Sequence, residues 1–154
     1  MHWLSDEEQR TWRSFVAASR SLFDQLDREL QRDAGMTHAD YEVLVRLSEA
    51  PDRCLRMGEL AERTGSSRSR LSHAVAGLEG EGWVRRQRCP TDRRGTVAVL
   101  TDEGLAALST AAPGHVQGVR RHLLDQLGRT EQRALRAISD TVLGHLEEER
   151  TAGG

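Results

Sequence analysis

Apolar positions recur in this chain at helical rather than strand spacing over most of its length. After Ser5-Asp6-Glu7-Glu8, where the serine and the last glutamate are placed for a capping box, Trp12, Phe15, Val16, Ser19, Leu22, Phe23, Leu26 and Leu30 follow at three- and four-residue steps. That stripe predicts a helix of about 40 Å, running to about Arg32 and stopped by Gly35. A single stripe of this length needs another helix to cover it. Thr37 caps a second helix reaching about Ala50, with Tyr41, Leu44, Val45 and Leu47 inward. Pro51 closes it, because the residue before a proline avoids the helical region. A loop from Pro51 to Arg56 leads to a third helix with Met57, Leu60 and Ala61 inward and Gly65 past its end. Ser66 or Ser67 then caps a fourth, running to about Glu81 before Gly82. Its Leu71, Val75 and Leu78 fall within about 60° of one another.

The period changes after Gly82. Trp83–Arg88 and Thr96–Leu100 are short β-prone runs, separated by seven residues rich in turn formers, Cys89 to Gly95. They predict an antiparallel hairpin with a basic tip. Thr101 to Gly104 opens a fifth helix, which Pro113-Gly114 is expected to kink or interrupt before Val119, Leu123, Leu124 and Leu127. Beyond Gly128 and Thr130, a last helix carries Leu135, Ile138, Val142 and Leu146 as its stripe, and Thr151 to Gly154 is expected to fray.

Composition adds two things. Apolar residues make up 37% and aromatics 4% of the 154 residues, which is low for a self-sufficient globule and suggests that a partner subunit supplies some burial. The net charge of −2 argues against a polyanionic partner, but the distribution argues for one. Residues 1–52 hold six Arg against eleven acids, residues 53–95 ten against five, and residues 96–154 six against eight. Salt screens charge over about 10 Å, so a polyphosphate responds to the basic middle block rather than to the total. A solvated arginine-rich face explains the same charge. All the cations are Arg, with no Lys, and Arg supplies a planar fork for phosphate and guanine edges.

Other classes fall away. Cys54 and Cys89 have neither metal-ligand nor disulfide-framework spacing. No apolar run approaches a membrane span and the N-terminus lacks a secretion signal, so the expected location is the cytoplasm. A nucleophile–base pair and a phosphate-binding glycine loop are both missing, which argues against an enzyme. The expectation for cofactors and metals is none.

The third and fourth helices, joined by a short Gly-Ser turn, form a helix–turn–helix, whose second helix enters the major groove of DNA by its N-terminal end. Ser66, Ser67, Ser69, Ser72 and His73 can reach base edges or phosphates there, and Arg68 and Arg70 can fork onto guanine or phosphate. The hairpin concentrates Arg85, Arg86, Arg88, Arg93 and Arg94 against the single acid Asp92, and a narrow minor groove attracts inserted arginine.

From Met36 to Gly104 the chain resembles the MarR family of winged-helix regulators. The resemblance is carried by Leu71…Leu78-Glu-Gly-Glu-Gly-Trp-Val-Arg-Arg86, by Pro90-Thr-Asp-Arg-Arg-Gly95 and by Leu100-Thr-Asp-Glu-Gly104. It implies a mainly α (α+β) fold: a winged helix–turn–helix domain with a two-stranded wing, plus N- and C-terminal helices that form a dimerisation domain. The expected divisions are 1–35 (dimerisation helix), 36–101 (DNA-binding domain), 102–150 (dimerisation helices) and 151–154 (disordered tail). By resemblance, Arg94 enters the minor groove, Asp92 holds it in place and Arg93 lies near the DNA backbone. The family also implies a homodimer on double-stranded, palindromic DNA with half-sites about 10 bp apart. Repression is the usual outcome, with release by a small aromatic or anionic effector in the cleft between dimer helices and winged helix.

Trp12, Phe15, Phe23, His38 and Tyr41 are the candidates for that cleft, and ordinary core or interface positions are the competing account of them. Cys89, beside Arg88, is the candidate for a redox switch, since nearby cations favour thiolate. A DNA binder blind to any ligand is the remaining alternative.

Overall fold

The computed structural model describes residues 1–89, 91 and 95–153. It divides into two compact units, Met1–Val116 and Gln117–Gly154. In the first, α1 (Asp6–Ala34) begins with the expected capping box: the Glu8 amide donates to Ser5 Oγ at 3.3 Å, and Glu8 Oε2 accepts from the Ser5 amide at 2.7 Å. Gly35 ends it at φ +65°, a left-handed conformation that glycine adopts without a Cβ penalty. Thr37 caps α2 (His38–Glu49) through the Asp40 amide. Asp27 on α1 accepts the His38 amide at 2.7 Å, which ties the start of α2 to α1.

The stretch before α3 differs from expectation. Pro51–Arg53 is a tight turn with Asp52 and Arg53 at φ +54° and +55°. It delivers Cys54–Arg56 into the sheet as β1. The sequence predicts a loop there, because three residues are too few to display a period. The sheet therefore has three antiparallel strands among the described residues, in the order β1-β3-β2, with β2 at Val84–Arg88 and β3 at Thr96–Leu100. Leu55 pairs with Ala98, and Arg86 pairs with Ala98 from the other side.

Between β1 and β2 run α3 (Met57–Thr64) and α4 (Arg68–Gly80). Leu44, Leu47, Leu60, Leu71, Val75, Leu78 and Ala98 form one buried core, each at most 2% exposed. Alternation along β3 sends Ala98 and Leu100 into that core. It sends Val97 and Val99 to the opposite face, where Cys89 and Cys54 pack on them.

Helix α5 (Asp102–His122) is not interrupted at Pro113. A proline there forfeits one backbone bond, and burial of Leu108 and Ala111 beside it holds the turn helical.

In the second unit, a turn at Leu124–Gln126 precedes α6 (Arg129–Ala152). Gln132 donates to the Leu124 and Leu127 carbonyls at 2.9 and 3.0 Å and seals that turn. Helix α6 takes in Thr151 and Ala152, so those two residues of the expected tail are helical. Along α6, Leu135, Ile138, Val142, Leu143 and Leu146 are exposed; on α1, in the first unit, so are Trp12, Phe15 and Phe23. Among the described residues no helix is long and apolar enough to cross a membrane.

Candidate nucleic-acid interface

Helix α3 ends at Gly65, at φ +63°, and the Ser66 amide returns to the Ala61 carbonyl at 3.0 Å. This glycine-closed turn sets the angle at which α4 leaves. Ser67 caps α4, accepting the Arg70 amide at 3.2 Å. The first amides of α4 remain open beyond that cap, so this end offers hydrogen-bond donors and partial positive charge to an anion. Leu71, Val75 and Leu78 hold the helix to the core from one side. Ser67, Arg68, Ser69, Arg70 and His73 stand exposed on the other, while Ser66 and Ser72 are half-buried. The sequence thus brings its cationic and hydroxyl candidates together on one open helix end.

The wing residues divide. Arg88 is exposed at the end of β2. Arg86 turns toward α4 and bonds to Ser72 and Glu79, so it is held within the protein and not presented outward like the others. Asp92, Arg93 and Arg94 lie outside the described residues. Sequence reasoning missed Arg56, which projects from β1 into the same groove as Arg68, Ser72 and Arg86 and reaches Thr91 Oγ1 at 3.4 Å. Its place in the basic block from 53 to 95 was the available signal.

Two family motifs acquire a physical meaning here. Gly82 takes φ +76°, Thr101 donates its hydroxyl to the Gly82 carbonyl at 2.7 Å, and the Gly104 amide donates to Thr101 Oγ1 at 3.0 Å. The Thr101 amide closes the knot on the Trp83 carbonyl, also at 3.0 Å. Gly-Trp before the hairpin and Leu-Thr-x-x-Gly after it are therefore one interlock that fixes both ends of the wing to α5.

The effector candidates also divide. Phe23 and His38 line a cavity of about 410 Å³ together with Glu42, Ser66 and Arg70. Tyr41 does not line it; Tyr41 is buried, 4.3 Å between ring centroids from His115, which is itself 5.5 Å from His38. Burial and the neighbouring His38 push the His115 pKa down, partly offset by Glu42 and Glu29; burial pushes that of Tyr41 up. His115 is the member of this cluster that sequence reasoning left out, since a lone histidine on α5 carries no signal of what α2 brings to it. Trp12 and Phe15 do not belong to the cavity. They pair with each other at 6.3 Å and are 57% and 61% exposed, two turns or more before Phe23 on α1.

Both cysteines pack on the outer face of the sheet against Val97 and Val99. Cys89 is 9% exposed in the apolar cluster on the outer face of the sheet. The Cys54 thiol is pushed up by burial first, with Cys89 and Asp52 adding to the effect. Among the described residues no three His, Cys, Asp or Glu side chains are grouped to hold a metal ion.

Comparison with known proteins gives a consistent result. The MarR family model matches residues 34–95. The chain is 53% identical to Sco3205 of Streptomyces coelicolor, a MarR family transcriptional regulator solved in complex with DNA, over 95% of this chain and 92% of that one, at a TM-score of 0.92. It is 42% identical to AbsC, a MarR family transcriptional regulator of the same organism, over 96% and 99%, at 0.90. The repressor YetL of Bacillus subtilis is 32% identical over 53% of this chain, and that match spans about half of YetL's own length, 48%. With the helix–turn–helix, the wing interlock and near-complete coverage in agreement, the chain belongs to the MarR family of winged-helix transcriptional regulators.

Proposed function

We propose that this protein is a dimeric, sequence-specific DNA-binding repressor of the cytoplasm, which places α4 in the major groove and the β2–β3 loop in the minor groove of a palindromic site. The observation that carries this reading is the exposed Ser67-Arg68-Ser69-Arg70 end of α4, backed by three fully buried apolar residues. The DNA held by Sco3205 supports it. Within this reading Arg94 enters the minor groove, Asp92 orients it and Arg93 lies on the backbone. Arg94→Ala is expected to weaken binding to a duplex selected in vitro by about 1–3 kcal/mol, measured by fluorescence anisotropy. Unchanged affinity would remove the wing from the interface.

The exposed apolar residues of α1 and α6 support a two-fold dimer, since isolated stripes of this size are costly in water. Sedimentation is expected to show a dimer at micromolar protein; a compact monomer would contradict the assignment.

Control by a small aromatic or anionic effector is supported by the cavity beside α4. It has the size of a ligand site, and Phe23 and His38 share it with Arg70, an exposed residue of the proposed DNA-reading helix. A ligand carboxylate paired with Arg70 would compete directly with phosphate for that guanidinium.

A further inference from the structure

Strand β2 sends one arginine across the recognition helix. Alternation places Val84, Arg86 and Arg88 on the face of the sheet that α4 covers. Val84 is buried, Arg88 is exposed, and Arg86 lies between them with its side chain 29% exposed. Its Nε donates to Glu79 Oε1 at 2.7 Å, its Nη1 to Ser72 Oγ at 3.2 Å and its Nη2 to the Ser72 carbonyl at 2.9 Å. Ser72 and Glu79 are two helical turns apart, so one planar fork spans about 10 Å of α4. The Ser72 hydroxyl accepts from Arg86, and its own proton stays available to donate elsewhere.

We propose that Arg86 is a positioning residue that touches no DNA: it sets how α4 lies against the wing strand and aims the Ser72 hydroxyl, with Glu79 as its anchor. This rests on the reading of α4 as the DNA-reading helix. Sequence specificity near Ser72 then depends on a side chain outside the interface. Only the guanidinium can make all three bonds, because an ammonium is a point donor without the fork. The competing possibility is an arginine that swings out onto a phosphate.

The two possibilities differ in sign and slope. Hydrogen exchange of the amides over residues 72–80, in the DNA-free protein, is expected to quicken about tenfold in both Arg86→Met and Arg86→Lys, the loss of a charge-assisted bond. On a duplex selected in vitro, both variants are expected to bind about tenfold more weakly, with the slope of log affinity against log salt unchanged and with discrimination against a scrambled duplex reduced. Glu79→Gln is expected to bind more weakly by about threefold. Tighter binding by Glu79→Gln, a slope smaller by about one in Arg86→Met, or full affinity in Arg86→Lys would overturn the proposal in favour of a phosphate contact. Unchanged exchange over residues 72–80 would overturn it outright. If the unmodified protein fails to bind DNA, the reading of α4 fails, and the exchange measurement still decides whether Arg86 positions the helix.

Discussion

Replacing Gly104 by alanine is expected to destabilise the protein by about 3 kcal/mol or more, the upper range for forcing atoms into a packed site. A Cβ at this position would lie 2.1 Å from the Trp83 carbonyl oxygen and 2.7 Å from a methyl of Leu100. The oxygen is backbone, and it already accepts the Thr101 amide at 3.0 Å. It therefore has no side-chain rotation by which to yield. Relief requires separating α5 from the Gly82–Trp83 turn, which breaks the Thr101 bond to the Gly82 carbonyl as well. Chemical denaturation followed by circular dichroism measures the loss. Gly77→Ala serves as the control, because a Cβ there meets nothing within 4 Å and α4 gains helix propensity. A Gly104→Ala protein as stable as the parent would mean that the interlock is not the joint described.

Raising salt from about 50 to 200 mM is expected to weaken binding to a specific duplex about 10³-fold. Arg68, Arg70 and Arg88 are exposed in each protomer, and a dimer using them would neutralise about six phosphates, giving a slope near −5. The overall charge of −2 suggests the contrary, a protein indifferent or averse to a polyanion. The local argument wins because charges beyond a Debye length contribute little, and residues 53–95 carry ten Arg against five acids. A slope near zero in titrations across that range would mean that these arginines do not meet the phosphate backbone.

How far the sequence could be read depended on the range of the interaction concerned. Helices α1 to α4 follow from period and punctuation. Ser5, Thr37 and Ser67 cap where their hydroxyls can reach an amide three residues on, and Gly35, Gly65 and Gly82 close turns that demand positive φ. These are forces between neighbours in the chain, so the order of residues states them directly. The same holds for the cluster of Ser and Arg at the head of α4, which is contiguous in sequence and in space.

What the order of residues left open is whatever joins distant segments. Strand β1 exists because β3 offers an edge to Cys54–Arg56, and three residues have no period of their own. Helix α5 continues through Pro113 because Leu108 and Ala111 find a core to enter. Arg86 carries the same formal charge as Arg88, yet the pleat turns it onto Ser72 and Glu79, fourteen and seven positions back, and gives it a different task. Helices α1 to α4, their caps and the chemistry of the open face can be read from the order of residues, since each is settled within about one helical turn. Which arginines are offered and which are held follows from packing between distant segments, because that choice depends on the pleat of one strand meeting the flank of one helix.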